Sequence, residues 1–210
     1  GCGYSRTIPK AYFKRRPMIT AIILAAGESK RMGQPKMLLP WDNGTVLSHV
    51  ISTFRKAGLE DILVITGGAR EQVEDEISHL KVKTVFNEQF AKGEMLSSIQ
   101  CGISVLTYQT QAMLIGLGDQ PQVQVGSVRM VCDAFCDTSS NIVVPSFQMR
   151  RGHPWLVARS LWDDLLKMES PNSPRDFLHT HHKNIQYVNV NDPGILADLD
   201  TPEDYQRWQP

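Results

Sequence analysis

The feature that most constrains this chain is an apolar strand running straight into a small-residue turn. Ile19 to Leu24 is followed by Ala25-Ala26-Gly27-Glu28-Ser29-Lys30-Arg31-Met32-Gly33-Gln34-Pro35-Lys36. A short apolar run bounded by turn residues reads as a buried strand of an α/β sheet. Small residues after it allow a polyphosphate to approach the backbone, and Arg31 and Lys36 add two cations. The glycine spacing fits neither common phosphate fingerprint. Lys36 is separated from Gly33 by Gln34-Pro35, so there is no GxxxxGK[ST], and no GxGxxG occurs.

Beyond this loop the pattern alternates between strand and helix. A helix is predicted over Thr45 to Ala57 with Gly58 as its stop, then a strand over Asp61 to Thr66 ending in Gly67-Gly68, a helix over Arg70 to Leu80 and a strand over Lys83 to Asn87. Gly93 opens a helix reaching Leu106, and Ala112 to Leu117 is a buried strand ended by Gly118-Asp119-Gln120-Pro121. A polar tetrapeptide directly after such a strand belongs at the carboxyl edge of the sheet, where open α/β folds bind ligands. Val125 to Phe135 reads as a helix and Asn141 to Pro145 as a strand; Trp155 to Ala158 re-enters the sheet, with Pro154 arguing for an edge position or an abrupt turn. Helices over Leu161 to Lys167 and Pro174 to His179 and a strand over Ile185 to Val190 follow. Thr201 caps a last helix with Pro202 in its first turn.

The 210 residues, 41% of them apolar, suffice for one core. Residues 18–210 are read as one domain, and 1–17, basic and poorly patterned, as an N-terminal arm or artificial extension outside the fold. Lys plus Arg and Asp plus Glu each number 22, so overall charge gives no reason to expect nucleic acid or an anionic membrane as partner. No run is long enough to span a bilayer, and no apolar signal core is present. The four cysteines lack a close CxxC pair, which argues against a zinc site and for a reduced, cytoplasmic setting. His179, His181 and His182 lack supporting ligands and are left outside the expected active site.

Four ordered blocks between Met18 and Tyr205 resemble the MobA-like nucleotidyltransferases, nearest to the molybdenum cofactor cytidylyltransferase branch. The loop from Leu24 to Lys36 is similar to that family's LAAGxSxRMGxxK motif, and Gly118-Asp119-Gln120-Pro121 to its metal-binding turn. Arg151-Gly152-His153-Pro154 looks like its substrate-side motif, and Asp198-Leu199-Asp200-Thr201-Pro202-Glu203-Asp204 like its terminal acidic motif. Gln120 departs from the Met common there among related cytidylyltransferases. The resemblance implies a three-layer, Rossmann-like fold with a mostly parallel sheet. It also implies transfer of a nucleoside monophosphate to a phosphate-bearing acceptor with release of pyrophosphate. By the family's pattern, Ala25-Ala26 implies CTP, and the branch implies a molybdopterin-type acceptor, with a recipient molybdoenzyme or its maturation chaperone as protein partner. A guanylyltransferase or sugar-phosphate nucleotidyltransferase, and a non-catalytic nucleotide- or molybdopterin-binding protein, are the alternatives.

The chemistry asks for matching parts. Negative charge on both reacting groups must be neutralised, work suited to Arg31 and Lys36. Asp119 is the expected Mg²⁺ ligand, with Asp198 or Asp200 completing the wall; their spacing leaves the choice open. Ala25, Ala26, Gly27, Gly67, Gly68, Asn87, Gly93, Ser97 and Ser98 are candidates to line the nucleotide pocket. Arg151, Gly152 and His153 are candidates to hold the acceptor. Because an acceptor phosphate is itself the nucleophile, no Ser-His-Asp or Cys-His set is needed.

Overall fold

A computed structural model of the chain describes residues 17–29, 31–92, 94–138 and 140–210. The N-terminal arm, apart from residue 17, and Gly93, expected at the nucleotide pocket, lie outside them. In chain order the strands are β1 (Ile19–Ala25), β2 (Pro40–Trp41), β3 (Gly44–Thr45), β4 (Ile62–Thr66), β5 (Lys83–Phe86), β6 (Ala112–Leu117), β7 (Ile142–Phe147), β8 (Arg150–Arg151), β9 (Trp155–Ala158) and β10 (Ile185–Asn189). The helices are α1 (Val46–Lys56), α2 (Arg70–Ile77), α3 (Glu94–Ser104), α4 (Val125–Thr138), α5 (Trp162–Leu166), α6 (Pro174–Thr180) and α7 (Pro202–Trp208), joined by short 3₁₀ turns such as Lys36–Leu38 and Pro193–Leu196.

The main sheet runs β10-β7-β9-β6-β1-β4-β5, with β8 hairpinned onto β7 and β2–β3 forming a separate two-stranded ribbon. Pairing is parallel except around β9 and in the β7–β8 hairpin. β1 shows why the sheet is covered on both faces: alternate side chains of a strand point opposite ways. Ala21, Ile23 and Ala25 pack with Leu47, Val50 and Phe54 of α1 and Val128 and Val131 of α4. Ile22 and Leu24 pack with Ile99 and Ile103 of α3 and Trp162 and Leu165 of α5. The three-layer α/β expectation is met. β9 lies between β7 and β6, which corrects the edge position that Pro154 argued for; its other expectation, a turn, is found, because the chain bends at His153 and the proline stands just before the strand, outside the ladder that its missing N–H would break.

Local signals explain the termini. Thr45 caps α1 by accepting from the Ser48 N–H, and Gly58, at φ +103°, follows the helix in a conformation that side chains disfavour. Thr201 and Asp204 form a capping box on α7, with Pro202 at the first helical position. This fixes where the preceding segment, 197–200, must end.

Chain order reverses at β1: the strands proceed to β4 and β5 on one side, then return to β6 on the other. The carboxyl ends of β1 and β6 therefore sit side by side, with the Gly118 N–H donating to the Leu24 carbonyl at 2.9 Å. Such a switch point opens a crevice for ligands. A buried carboxylate ties the start of α4 to the turn before Asp198: Asp192, 1% exposed, accepts from Gln124 N–H (2.9 Å), Ser127 Oγ–H (2.7 Å) and Gly194 N–H (2.9 Å). Asp192→Ala strands all three donors and is expected to cost about 2 to 3 kcal/mol in urea unfolding. A loss below the scatter of the measurement would show that water satisfies these donors.

Candidate active site

At the switch point the loop after β1, the turn after β6 and the segment before α7 converge. Lys36, in the first 3₁₀ turn, is 8% exposed. Its Nζ makes a tight ion pair with Asp119 Oδ2 and a second with Asp200 Oδ1 at 2.9 Å. Burial alone would lower the lysine's pKa, but the two carboxylates outweigh it and hold the pKa above the ordinary value, so the ammonium stays charged at physiological pH. Arg31 Nη1 also reaches Asp200, at 3.0 Å, but with a side chain 76% exposed. A pair so open to water contributes little stability and leaves the guanidinium able to move to a ligand.

Asp198 takes a different position. Gln120 Nε2–H donates to its Oδ1 at 2.8 Å, and the Leu199 N–H donates to the Asp119 carbonyl at 3.3 Å, joining the two acidic loops. Although Asp198 still meets solvent, partial burial, then the negative charge of Asp119 beside it, raises its carboxyl above the usual range. Leu199 between the aspartates is fully buried against Leu39, Trp41 and Val46. Asp119, Asp198, Lys36, Ala26 and Gly27 line a cavity of about 290 Å³, together with Ser98, Leu24, Leu117 and an apolar wall of Met37, Phe90 and Met95. Asp200 is not among its lining residues and instead holds the two cations.

The remaining sequence-predicted residues are placed unevenly. Ala25 is buried at the end of β1. Gly67 packs under the loop: a Cβ there would collide with the Ala26 carbonyl, so glycine lets the two loops touch. Gly68 sits beside Glu28 and Phe90. Asn87, 3% exposed, donates its amide to Ser97 Oγ (2.9 Å) and Ser98 Oγ (3.1 Å), which ties the start of α3 to the end of β5 instead of lining the cavity itself.

Arg151 and His153 do not line the cavity either. The Arg151 guanidinium lies 5.7 Å from the Tyr187 ring centroid. Gly152 is pressed against Ile195, where a Cβ would meet the Ile195 carbonyl, and the His153 N–H donates to that same oxygen at 3.0 Å. The 150–153 hairpin thus braces the turn that delivers Asp198. His153 stacks on Trp155, centroids 4.3 Å apart, and its Nε2 is buried without a partner among the described residues. Burial, then Arg175 nearby, pushes its pKa down to about 3, so the ring is neutral and offers a hydrogen bond instead of a charge.

A base whose folded pKa is depressed takes up its proton only on unfolding between pH 6.5 and 3. Its share of stability is present above pH 6.5 and falls as pH drops, by up to about 1.4 kcal/mol per pH unit. Urea unfolding between pH 7 and 5 should show a shallower pH slope in His153→Gln than in the wild type. Equal slopes would mean that His153 protonates in the folded state.

Sequence reasoning passed over Phe90 as a cavity wall; a lone aromatic after a turn carries no periodic signal. The histidines outside the expected site are otherwise engaged: His181 pairs with Asp164 at 3.2 Å, and His182 Nδ1 lies 2.9 Å from the His179 carbonyl. Among the described residues no three acidic, histidine or cysteine side chains form a ready-made metal cage. Asp119 and Asp198 fit a hard divalent cation of the Mg²⁺ type, which takes one or two carboxylates and completes its shell with water and phosphate oxygens.

Comparison with known proteins agrees with this geometry. Residues 21–185 match the MobA-like NTP transferase domain. The molybdenum cofactor cytidylyltransferase of Escherichia coli (strain K12) is 29% identical over 188 residues, 89% of this chain and 93% of that protein. The nicotine blue oxidoreductase of Paenarthrobacter nicotinovorans is 26% identical over 91% of this chain and 96% of its own length. Among solved structures, Rv0371c of Mycobacterium tuberculosis H37Rv superposes with a TM-score of 0.80 at 28% identity, covering 91% of this chain and 97% of that one. Rv0371c in complex with manganese gives 0.77 at 25% identity, with the same shares covered. A pair of cations held by acidic loops at the switch point of such a sheet, together with a family match over most of the chain, places this protein among the nucleotidyltransferases: it belongs to the MobA-like NTP transferase domain family.

Proposed function

We propose that this protein transfers CMP from CTP to the phosphate of a molybdopterin-type cofactor and releases pyrophosphate. An acceptor phosphate oxygen attacks the α-phosphorus, the α–β anhydride bond breaks, and pyrophosphate leaves with its electron pair. The observation that carries this reading is the buried Lys36, kept charged by Asp119 and Asp200 in the wall of the cavity.

Each residue has work that suits its chemistry. The backbone of Ala25 to Gly27 lies where phosphates can approach, and Lys36 offers a fixed positive charge to the α-phosphate or the departing pyrophosphate. Arg31, exposed and only loosely paired, swings to the outer phosphates as a bidentate clamp. Phe90 and Met95 give the nucleobase an apolar wall, with Ser98 beside it. Asp119 and Asp198 would hold Mg²⁺, which when bound offsets phosphate charge in the in-line displacement. His153 and Arg151 bear on the acceptor indirectly, by bracing the turn that carries Asp198. The choice of CTP rests on Ala25-Ala26 and on the name of the Escherichia coli relative.

One relative carries an oxidoreductase name, so the acceptor is the variable to test. Pyrophosphate release should be measured with each nucleoside triphosphate, Mg²⁺, and molybdopterin, a set of sugar phosphates or no acceptor. Release that requires both CTP and molybdopterin is expected. A requirement for GTP or for a sugar phosphate would replace the substrate assignment, and saturable binding without release would make the protein a binding module.

A further inference from the structure

The turn after β6 contains a buried polar side chain with no part in the reaction as described. Gln120 is 4% exposed, and burial of an amide is tolerated when its hydrogen bonds are made. Its Nε2–H reaches across 78 residues of sequence to Asp198 Oδ1 at 2.8 Å. Asp198 lies in neither helix nor strand, so no regular backbone fixes the direction of its carboxylate. Three contacts join its segment to the β6 turn: Gln122 Nε2–H to the Ala197 carbonyl and the Leu199 N–H to the Asp119 carbonyl set the spacing of the chains, and Gln120 sets the rotation of the carboxylate. With Oδ1 held by the amide, Oδ2 has no protein partner among the described residues.

We propose that Gln120 is a positioning residue: by holding Asp198 Oδ1 it presents Oδ2 to the metal side of the cavity. The inference rests on the metal–triphosphate reading above. An amide that donates to the non-coordinating oxygen of a ligand carboxylate restricts its orientation, and loss of such a partner commonly weakens metal binding tenfold or more. Gln120→Met keeps the length and volume of the side chain and removes the donor.

The test is the Mn²⁺ dissociation constant, read by electron paramagnetic resonance with a non-hydrolysable CTP analogue present. It compares the wild type, Gln120→Met, Asp198→Asn and the double variant, with a melting temperature for each. Gln120→Met is expected to weaken Mn²⁺ binding about tenfold. In the Asp198→Asn background the same change should add almost nothing, because the group it positions is already gone. A twofold or smaller effect of Gln120→Met, or an equal loss in both backgrounds, would overturn the proposal; a purely packing role moves the melting temperature without this coupling. If Asp198→Asn itself binds Mn²⁺ as the wild type does, the metal reading fails instead. Should Gln120→Met not fold, Gln120→Asn, which withdraws the amide by one carbon, carries the same comparison.

Discussion

Replacing Lys36 with methionine is expected to reduce turnover about a hundredfold to a thousandfold, the scale seen when one donor to developing negative charge is removed. Methionine preserves most of the buried stem, so loss of packing does not confuse the result. The substitution also leaves Asp119 and Asp200 without their shared cation. Carboxylates no longer neutralised by lysine attract a divalent cation at least as well as before, so Mn²⁺ binding without nucleotide should hold or tighten while turnover collapses. Steady-state kinetics and Mn²⁺ titration on one preparation separate the two effects. Parallel loss of both would indicate that Lys36 organises the loops instead of serving the phosphates.

Asp119→Asn is the second substitution with a large expected effect. It keeps the shape of the turn but removes the charge that faces both the cavity and Lys36. Turnover at saturating CTP should fall at least about a hundredfold, and the remaining rate should no longer respond to Mg²⁺. The fold should persist, because the Gly118 N–H to Leu24 bond and the Leu199 N–H to Asp119 carbonyl bond both use backbone. An unaltered Mg²⁺ titration would remove Asp119 from the metal site.

Much of this architecture was readable from local pattern. The runs at Ile19, Ala112 and Trp155 are apolar and bounded by turn residues, and the structure gives strands there. Thr45, Gly58, Thr201 and Pro202 mark helix ends by chemistry that needs no distant partner. The β2–β3 ribbon and β8 were missed because two-residue strands have no period to detect. Of the two positions Pro154 argues for, the turn is found and the edge is not, because the rule excluding proline from central strands applies within the ladder, and this residue stands one position before it.

The candidate site was legible as ordered blocks but not as contacts. Asp198 and Asp200 have equivalent spacing to any periodic reading, yet one lines the cavity and the other holds Lys36 and Arg31. That division arises from the neighbours each meets across the fold, Gln120 for one and the two cations for the other. Asn87, Ser97 and Ser98 are all expected on the cavity wall, but only Ser98 lines it; the buried asparagine bonds both serines and ties α3 to the sheet.

On the proposed mechanism, Asp119 and Asp198 hold a divalent cation against the triphosphate that Lys36 and Arg31 neutralise. Crystals grown with Mn²⁺ and a non-hydrolysable CTP analogue test it through the anomalous scattering of manganese. A peak at ligand distance from both Asp119 and Asp198, with Lys36 turned from Asp119 to a phosphate oxygen, is predicted. Manganese bound elsewhere, or Lys36 still paired with Asp119 beside a bound nucleotide, would contradict it.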